Sequence, residues 1–158
     1  MQSAGSALDY TESRIQRVMT RLRSHGYRMT PQRVAVVRAL VESVEHPSAE
    51  DLYEQLLPQY PTMSPATVYK TVGLLKELGE VAELVAQHDG RHFEGRNPAP
   101  HPHIICVKCG RIVDLELGEM GALIERVASS SGFAEVSNRL EFWGVCERCQ
   151  SGESASVA

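Results

Sequence analysis

The chain has 158 residues, 42% hydrophobic and 23% charged, which is a globular composition far from the disordered or fibrous classes. No run of about 18 apolar residues occurs, so a membrane-spanning helix is excluded, and Met1-Gln2-Ser3-Ala4-Gly5 lacks the basic-then-apolar pattern of a secretion signal; a cytoplasmic protein is expected. The net charge of −4 argues weakly against nucleic acid, but residues 13–41 hold seven arginines (Arg14, Arg17, Arg21, Arg23, Arg28, Arg33 and Arg38) and no acid. Such a segment either meets phosphates or forms a solvated helix face.

Residues 1–10 and 151–158 are small and polar, and are expected to fray. From residue 12 to about 79 the apolar spacing is helical; beyond 81 it is mostly strand-like. A first helix carries Ile15, Val18, Met19 and Leu22 on one face and stops at Gly26. Thr30 as N-cap and Pro31 at the first position open a second, with Val34, Val37, Val41 and Val44 as its repeat, broken by His46-Pro47. Ser48 and Asp51 form a capping-box pair for a third helix, which buries Leu52 and Leu56 and ends before Pro58. A fourth starts at Ser64-Pro65, buries Val68, Val72 and Leu75, and stops at Gly79. A strand over 81–86, a turn at His88-Asp89-Gly90 and a strand over 91–94 complete a winged helix-turn-helix order.

Residues 95–101 read as a Pro-rich hinge. Beyond it a hairpin of 103–107 and 111–115 surrounds the first cysteine pair, followed by a helix over 119–130 and a last strand over 133–145. The expected class is α+β: a winged-helix domain over 11–94, the hinge 95–101, and a small α/β domain over 102–150.

The fourth helix is the candidate for reading DNA, because its inward apolar positions leave Thr67, Tyr69, Lys70 and Thr71 to face out. Helix-turn-helix proteins reach base edges with the first turns of their second helix. Tyr69 offers its hydroxyl to phosphate or its ring to a thymine methyl, and Lys70 suits a guanine or a phosphate. The competing reading is a helical packing module with no DNA partner.

Cys106-Val107-Lys108-Cys109 and Cys146-Glu147-Arg148-Cys149 carry the strongest chemistry. Two thiolates three apart grip one ion as the backbone curls into a knuckle, and two such pairs form the closed tetrahedral set of structural zinc. Buried free cysteines or a redox pair would leave two coincident C-x-x-C units unexplained. The second constellation is looser. His101 and His103 share a face of an extended strand, Glu94 stands seven residues earlier, Asp114 lies on the next strand, and His46 is far back in the helical half. Imidazoles with carboxylates suit Fe(II), Mn(II) or Co(II), with zinc as competitor. By spacing alone, His101 and His103 are equally well surface histidines. His25 and His88 read as structural or solvated; His92, on the face of Glu94, is a candidate further ligand.

Met29-Thr30-Pro31-Gln32-Arg33, His46-Pro47-Ser48-Ala49-Glu50-Asp51-Leu52-Tyr53, Ser64-Pro65-Ala66-Thr67-Val68-Tyr69, His101-Pro102-His103 and both cysteine pairs resemble the ferric uptake regulator family in order and spacing, from about residue 12 to 150. The resemblance implies a metal-dependent transcriptional repressor and not an enzyme. It implies a homodimer that joins through its C-terminal domain and binds a palindromic, A·T-rich double-stranded operator. It implies zinc at Cys106, Cys109, Cys146 and Cys149, and regulatory Fe(II) or Mn(II) at His46, Glu94, His101, His103 and Asp114. It places Arg28 at a minor groove; with Arg14 and Arg17 of the basic segment and Thr67, Tyr69 and Lys70 of the fourth helix, it completes the expected DNA contacts. The family's further site is expected to be absent, since Pro102 and Asn138 stand near its ligand positions. Asp114 resembles the peroxide-responsive branch, whereas Glu94 resembles the iron-uptake branch. A different class, a zinc deaminase-like enzyme, is suggested by His92-Phe93-Glu94 followed by Cys106-x-x-Cys109, but Ile105 stands where that signature needs proline.

Overall fold

The computed structural model describes residues 4–86 and 90–152. The chain divides between Pro98 and Ala99 into two compact units.

The first unit contains α1 (Ala4–Ser24), α2 (Pro31–Glu42), α3 (Ala49–Leu56), α4 (Pro65–Glu77), β1 (Ala82–Ala86) and β2 (Gly90–Glu94). Helix α1 begins at Ala4, well before residue 10, where fraying was expected. Three local caps set the starts of the next helices. Thr30 accepts from the Arg33 amide ahead of Pro31, Ser48 and Asp51 close a reciprocal capping box, and Ser64 accepts from the Thr67 amide ahead of Pro65. Helix α2 stops at Glu42, so Val44 falls outside it and is 69% exposed, against the expected repeat. The cause is local: Ser43 turns extended, and His46 enters the left-handed region at φ 48°.

The core of this unit joins Ile15, Leu22, Val36, Leu40, Leu52, Val68 and Leu75, all essentially inaccessible. Truncating any of these leucines to alanine removes about 2–5 kcal/mol. Strands β1 and β2 pair antiparallel with Ala82 opposite Glu94 and Leu84 opposite His92. Ser48 adds an antiparallel bridge to His92, and the Phe93 amide donates to the Pro47 carbonyl at 3.0 Å, which ties the start of α3 to β2. The turn expected at His88-Asp89-Gly90 falls largely outside the described residues.

The second unit contains β3 (His103–Cys106), β4 (Ile112–Asp114), α5 (Met120–Ser131), β5 (Glu141–Gly144) and α6 (Glu147–Gln150). Its sheet runs β4-β3-β5, with β3 antiparallel to β4 and parallel to β5. The last strand is far shorter than the expected 133–145. Gly132 ends α5 in the left-handed conformation, Glu135 has φ 53°, and Phe133 is 74% exposed, so no extended run forms before Glu141. None of the residues of α5 is buried, although Leu123 and Val127 are apolar. Among the described residues, no helix is long and apolar enough to cross a membrane.

Candidate metal centres and nucleic-acid interface

The sulfurs of Cys106, Cys109, Cys146 and Cys149 converge within 4.8 Å of one another. Cys106 ends β3 and Cys109 follows in a turn closed by the Gly110 amide donating to the Cys106 carbonyl at 2.9 Å. Gly110 has φ 72°, which a side chain would disfavour. The second pair repeats the device: Cys146 caps α6, and its carbonyl accepts from Gln150 at 3.0 Å. The Cys109 and Cys146 sulfurs lie 3.7 Å apart. Four sulfurs at about 2.3 Å from a central ion have tetrahedral edges of about 3.8 Å, so the Cys109–Cys146 pair already has the spacing of two ligands on one zinc, and all four sulfurs lie close enough to share it. Burial raises the Cys106 thiol, but the amides of Cys146, Cys109 and Lys108 turned toward its sulfur bring it down to about 6. Amide donation from Cys149 lowers Cys146, whereas hydrogen bonding to Cys146 together with burial raises Cys149. With all four cysteines in one closed set, the deaminase-like arrangement is overturned: it needs a histidine beside two cysteines and an open position.

The second unit also gathers three of the expected regulatory ligands. His103 opens β3 directly opposite Asp114 on β4. Nε2 of His101 and Nε2 of His103 lie 3.2 and 3.3 Å from the same Asp114 oxygen. Adjacent ligands on a metal with bonds of about 2.0–2.1 Å stand about 3.0–3.4 Å apart, so these atoms already have the spacing of ligands on one ion. The His101 Nδ1 donates to the Ala99 carbonyl at 2.8 Å, which fixes the tautomer and leaves Nε2 its lone pair.

In the first unit, buried His46 directs Nε2 to Oε2 of buried Glu94 at 2.9 Å. Burial opposes the Glu94 charge, but the His46 ring and the Asn97 amide, at 2.6 Å from Oε1, outweigh it and hold the carboxyl below its usual range. His92 also belongs to this arrangement: its Nδ1 lies 2.8 Å from the His46 carbonyl. The sequence marked His92 only by its shared strand face with Glu94. His25 meets the Arg21 carbonyl at a helix end, a structural role as expected.

The expected DNA contacts divide. Arg17, Arg28, Tyr69 and Lys70 are exposed, and Thr67 is partly so, its hydroxyl 3.1 Å from that of Ser64. The Tyr69 hydroxyl donates to Glu50 at the start of α3. Arg14 does not belong with them. It is only 7% exposed, ion-paired to Glu80, and its remaining nitrogens donate to the Glu80 and Gly95 carbonyls at 2.8 and 3.3 Å. Thr71 also turns inward: it is 1% exposed, because it lies on the stripe of Val68 and Leu75, and its hydroxyl is satisfied by the Thr67 carbonyl at 2.8 Å.

A capped helical unit ending in a two-stranded hairpin, followed by a small sheet closed by four cysteines, defines a class of mixed α/β metal-binding proteins. The chain belongs to the ferric uptake regulator family, whose model matches residues 24–143. It is 37% identical over 144 residues to the peroxide-responsive repressor PerR of Staphylococcus aureus (strain USA300), covering 90% of this chain and 96% of that protein. Its fold is similar to the Helicobacter pylori ferric uptake regulator Fur, described with three functional metal-binding sites, at TM-score 0.78 and 26% identity, over 91% of this chain and 96% of that one. It is also similar to the Campylobacter jejuni peroxide stress regulator, at TM-score 0.68 and 29% identity, over 83% and 98% respectively.

Proposed function

We propose that this protein is a cytoplasmic, metal-dependent transcriptional repressor that senses peroxide. The observation that carries the reading is the separation of two donor sets: four thiols in one closed cluster, and imidazoles with carboxylates elsewhere. Thiolates on all sides suit a zinc that stays and holds the fold. A set without sulfur suits an exchangeable Fe(II) or Mn(II). The similarity to regulators named for peroxide and for iron supports the same division of labour.

In this reading Cys106, Cys109, Cys146 and Cys149 bind structural zinc. His46 and Glu94 from the winged-helix domain (11–94) share a regulatory ion with His101, the last residue of the hinge (95–101), and with His103 and Asp114 of the dimerisation domain (102–150). Neither half-set alone has enough donors for a six-coordinate ion. One ion held by both fixes the angle between the domains, and in a symmetric dimer that angle sets the distance between two recognition helices. The metal acts through its greater affinity for the DNA-competent arrangement. Exposed Leu123 and Val127 on α5, with Phe142 and Trp143 on opposite faces of β5, supply apolar surface that a second copy would cover. The operator is then a palindromic, A·T-rich duplex, gripped by Tyr69 and Lys70 of α4 with Thr67 beside them, and by Arg17 and Arg28.

The test is operator affinity of the zinc-replete protein with Mn(II) and with Fe(II), before and after peroxide. Metal-dependent binding that peroxide abolishes only in the iron form supports the reading; metal-independent binding, or none, rejects it. A second reading, an iron-uptake repressor, is favoured by Glu94, where the longer carboxylate resembles that branch. It predicts iron-dependent binding that survives peroxide.

A further inference from the structure

Around His46 the backbone of the first unit is tied in a way that neither metal ligation nor DNA contact accounts for. His46 has φ 48°, although it carries a full side chain and precedes Pro47. The ring of a following proline already disfavours helical backbone, so this left-handed conformation persists only if its surroundings hold it. The surroundings are β2. The His46 carbonyl meets Nδ1 of His92 at 2.8 Å, the Pro47 carbonyl accepts from the Phe93 amide at 3.0 Å, and Ser48 bridges to His92. His92 is itself buried, and two residues further along the same strand face stands Glu94, whose carboxylate meets the His46 ring at 2.9 Å. One strand face therefore holds both the main chain and the side chain of His46.

We propose that His92 is a positioning residue of the regulatory metal site, its Nδ1–H holding the His46 carbonyl so that the left-handed backbone aims the His46 ring toward Glu94. This rests on the reading above, in which His46 and Glu94 bind the regulatory ion. The carbonyl is an acceptor only, so Nδ1 is the protonated nitrogen of His92. Without that donor, His46 relaxes toward the extended conformation favoured before proline, and its Cβ, and with it the ring, swings away from Glu94. Phenylalanine at 92 preserves a planar side chain but removes the donor. Glutamine preserves an N–H donor but is a poor ligand for a transition metal.

The test uses the full-length, zinc-replete protein titrated with cobalt(II), reading affinity by competition and coordination by visible absorption, with zinc content and helical circular dichroism as controls. His92→Phe should bind cobalt(II) about 10- to 100-fold more weakly while retaining its zinc, the loss typical when a residue that orients a ligand is removed. His92→Gln should bind close to wild type with an unchanged spectrum. Wild-type affinity in His92→Phe overturns the proposal. A lost or altered spectrum in His92→Gln also overturns it, because His92 would then be a ligand. If His92→Phe loses zinc or helical signal, the glutamine variant decides alone on the same two outcomes. His46→Ala separates the two levels: cobalt(II) binding left intact in that variant rejects the site itself, and the proposal with it.

Discussion

Arg14 and Glu80 form a buried ion pair across 66 residues of sequence, linking α1 to the turn that follows α4. Each is 7% exposed, and Glu80 also draws in Arg21 at 3.1 Å. Removing one partner of a buried pair costs about 3–5 kcal/mol when the other charge is left alone; without Arg14, Glu80 keeps only the half-exposed Arg21, so the loss is a large part of that. Arg14→Ala is therefore expected to lower the unfolding midpoint markedly, as read by denaturant titration. Exposed Arg17→Ala should leave stability almost unchanged and instead reduce the salt dependence of DNA binding by about one phosphate contact. Equal stability of the two variants would contradict the buried pair.

Zinc is expected to be part of the fold. The sulfur cluster joins the end of β3 to the start of α6, 40 residues apart between Cys106 and Cys146. Cys106→Ser or Cys146→Ser should release the tightly held ion and unfold the second unit or prevent dimer formation, because such sites contribute folding energy directly. Metal analysis and sedimentation check this together. Retained stoichiometric zinc and dimer mass in Cys146→Ser would reject the structural assignment.

Recognition by α4 is expected to depend on Tyr69 and Lys70, which stay exposed while Val68, Val72 and Leu75 are buried. Tyr69→Ala and Lys70→Ala should each weaken operator binding by about 1–3 kcal/mol if they read a base. Competition against nonspecific duplex in a mobility-shift assay measures the loss. Wild-type affinity in both would mean that another element reads the DNA.

What the sequence revealed was whatever is settled by neighbours. Thr30, Ser48 and Ser64 were legible as caps because a side chain and an amide three residues away decide each one. The cysteine pairs were legible because a knuckle needs only four residues. Arg14 was misread because its partner is remote, and a basic run looks the same whether its members face phosphate or a buried carboxylate. Thr71 was misread because a polar side chain on an apolar stripe is invisible until its hydroxyl finds the Thr67 carbonyl. The last strand was overextended because alternating residues do not reveal the left-handed backbone at Glu135. The contact of His92 with the His46 carbonyl was not legible for the same reason: it depends on the conformation of a residue 46 positions earlier.

Peroxide sensitivity is the prediction on which the functional reading turns. Asp114 contributes one oxygen to both His101 and His103, and a carboxylate one methylene shorter than Glu reaches less far into the site. A short reach would leave an iron held by these residues with a position open to a small oxidant. The Fe(II) form should therefore lose operator binding on exposure to low peroxide, whereas the Mn(II) form should resist, since Mn(II) does not readily drive the same chemistry. One oxygen atom of the peroxide passes to an imidazole carbon and the other leaves as water, so mass spectrometry should find one added oxygen on a peptide containing His46 or His101. Asp114→Glu should blunt this response while preserving metal-dependent DNA binding. The opposing feature is Glu94, the longer carboxylate at the other half-set. If the Fe(II) protein keeps unmodified histidines and its DNA under peroxide, Glu94 is the better guide and the iron-uptake reading replaces peroxide sensing.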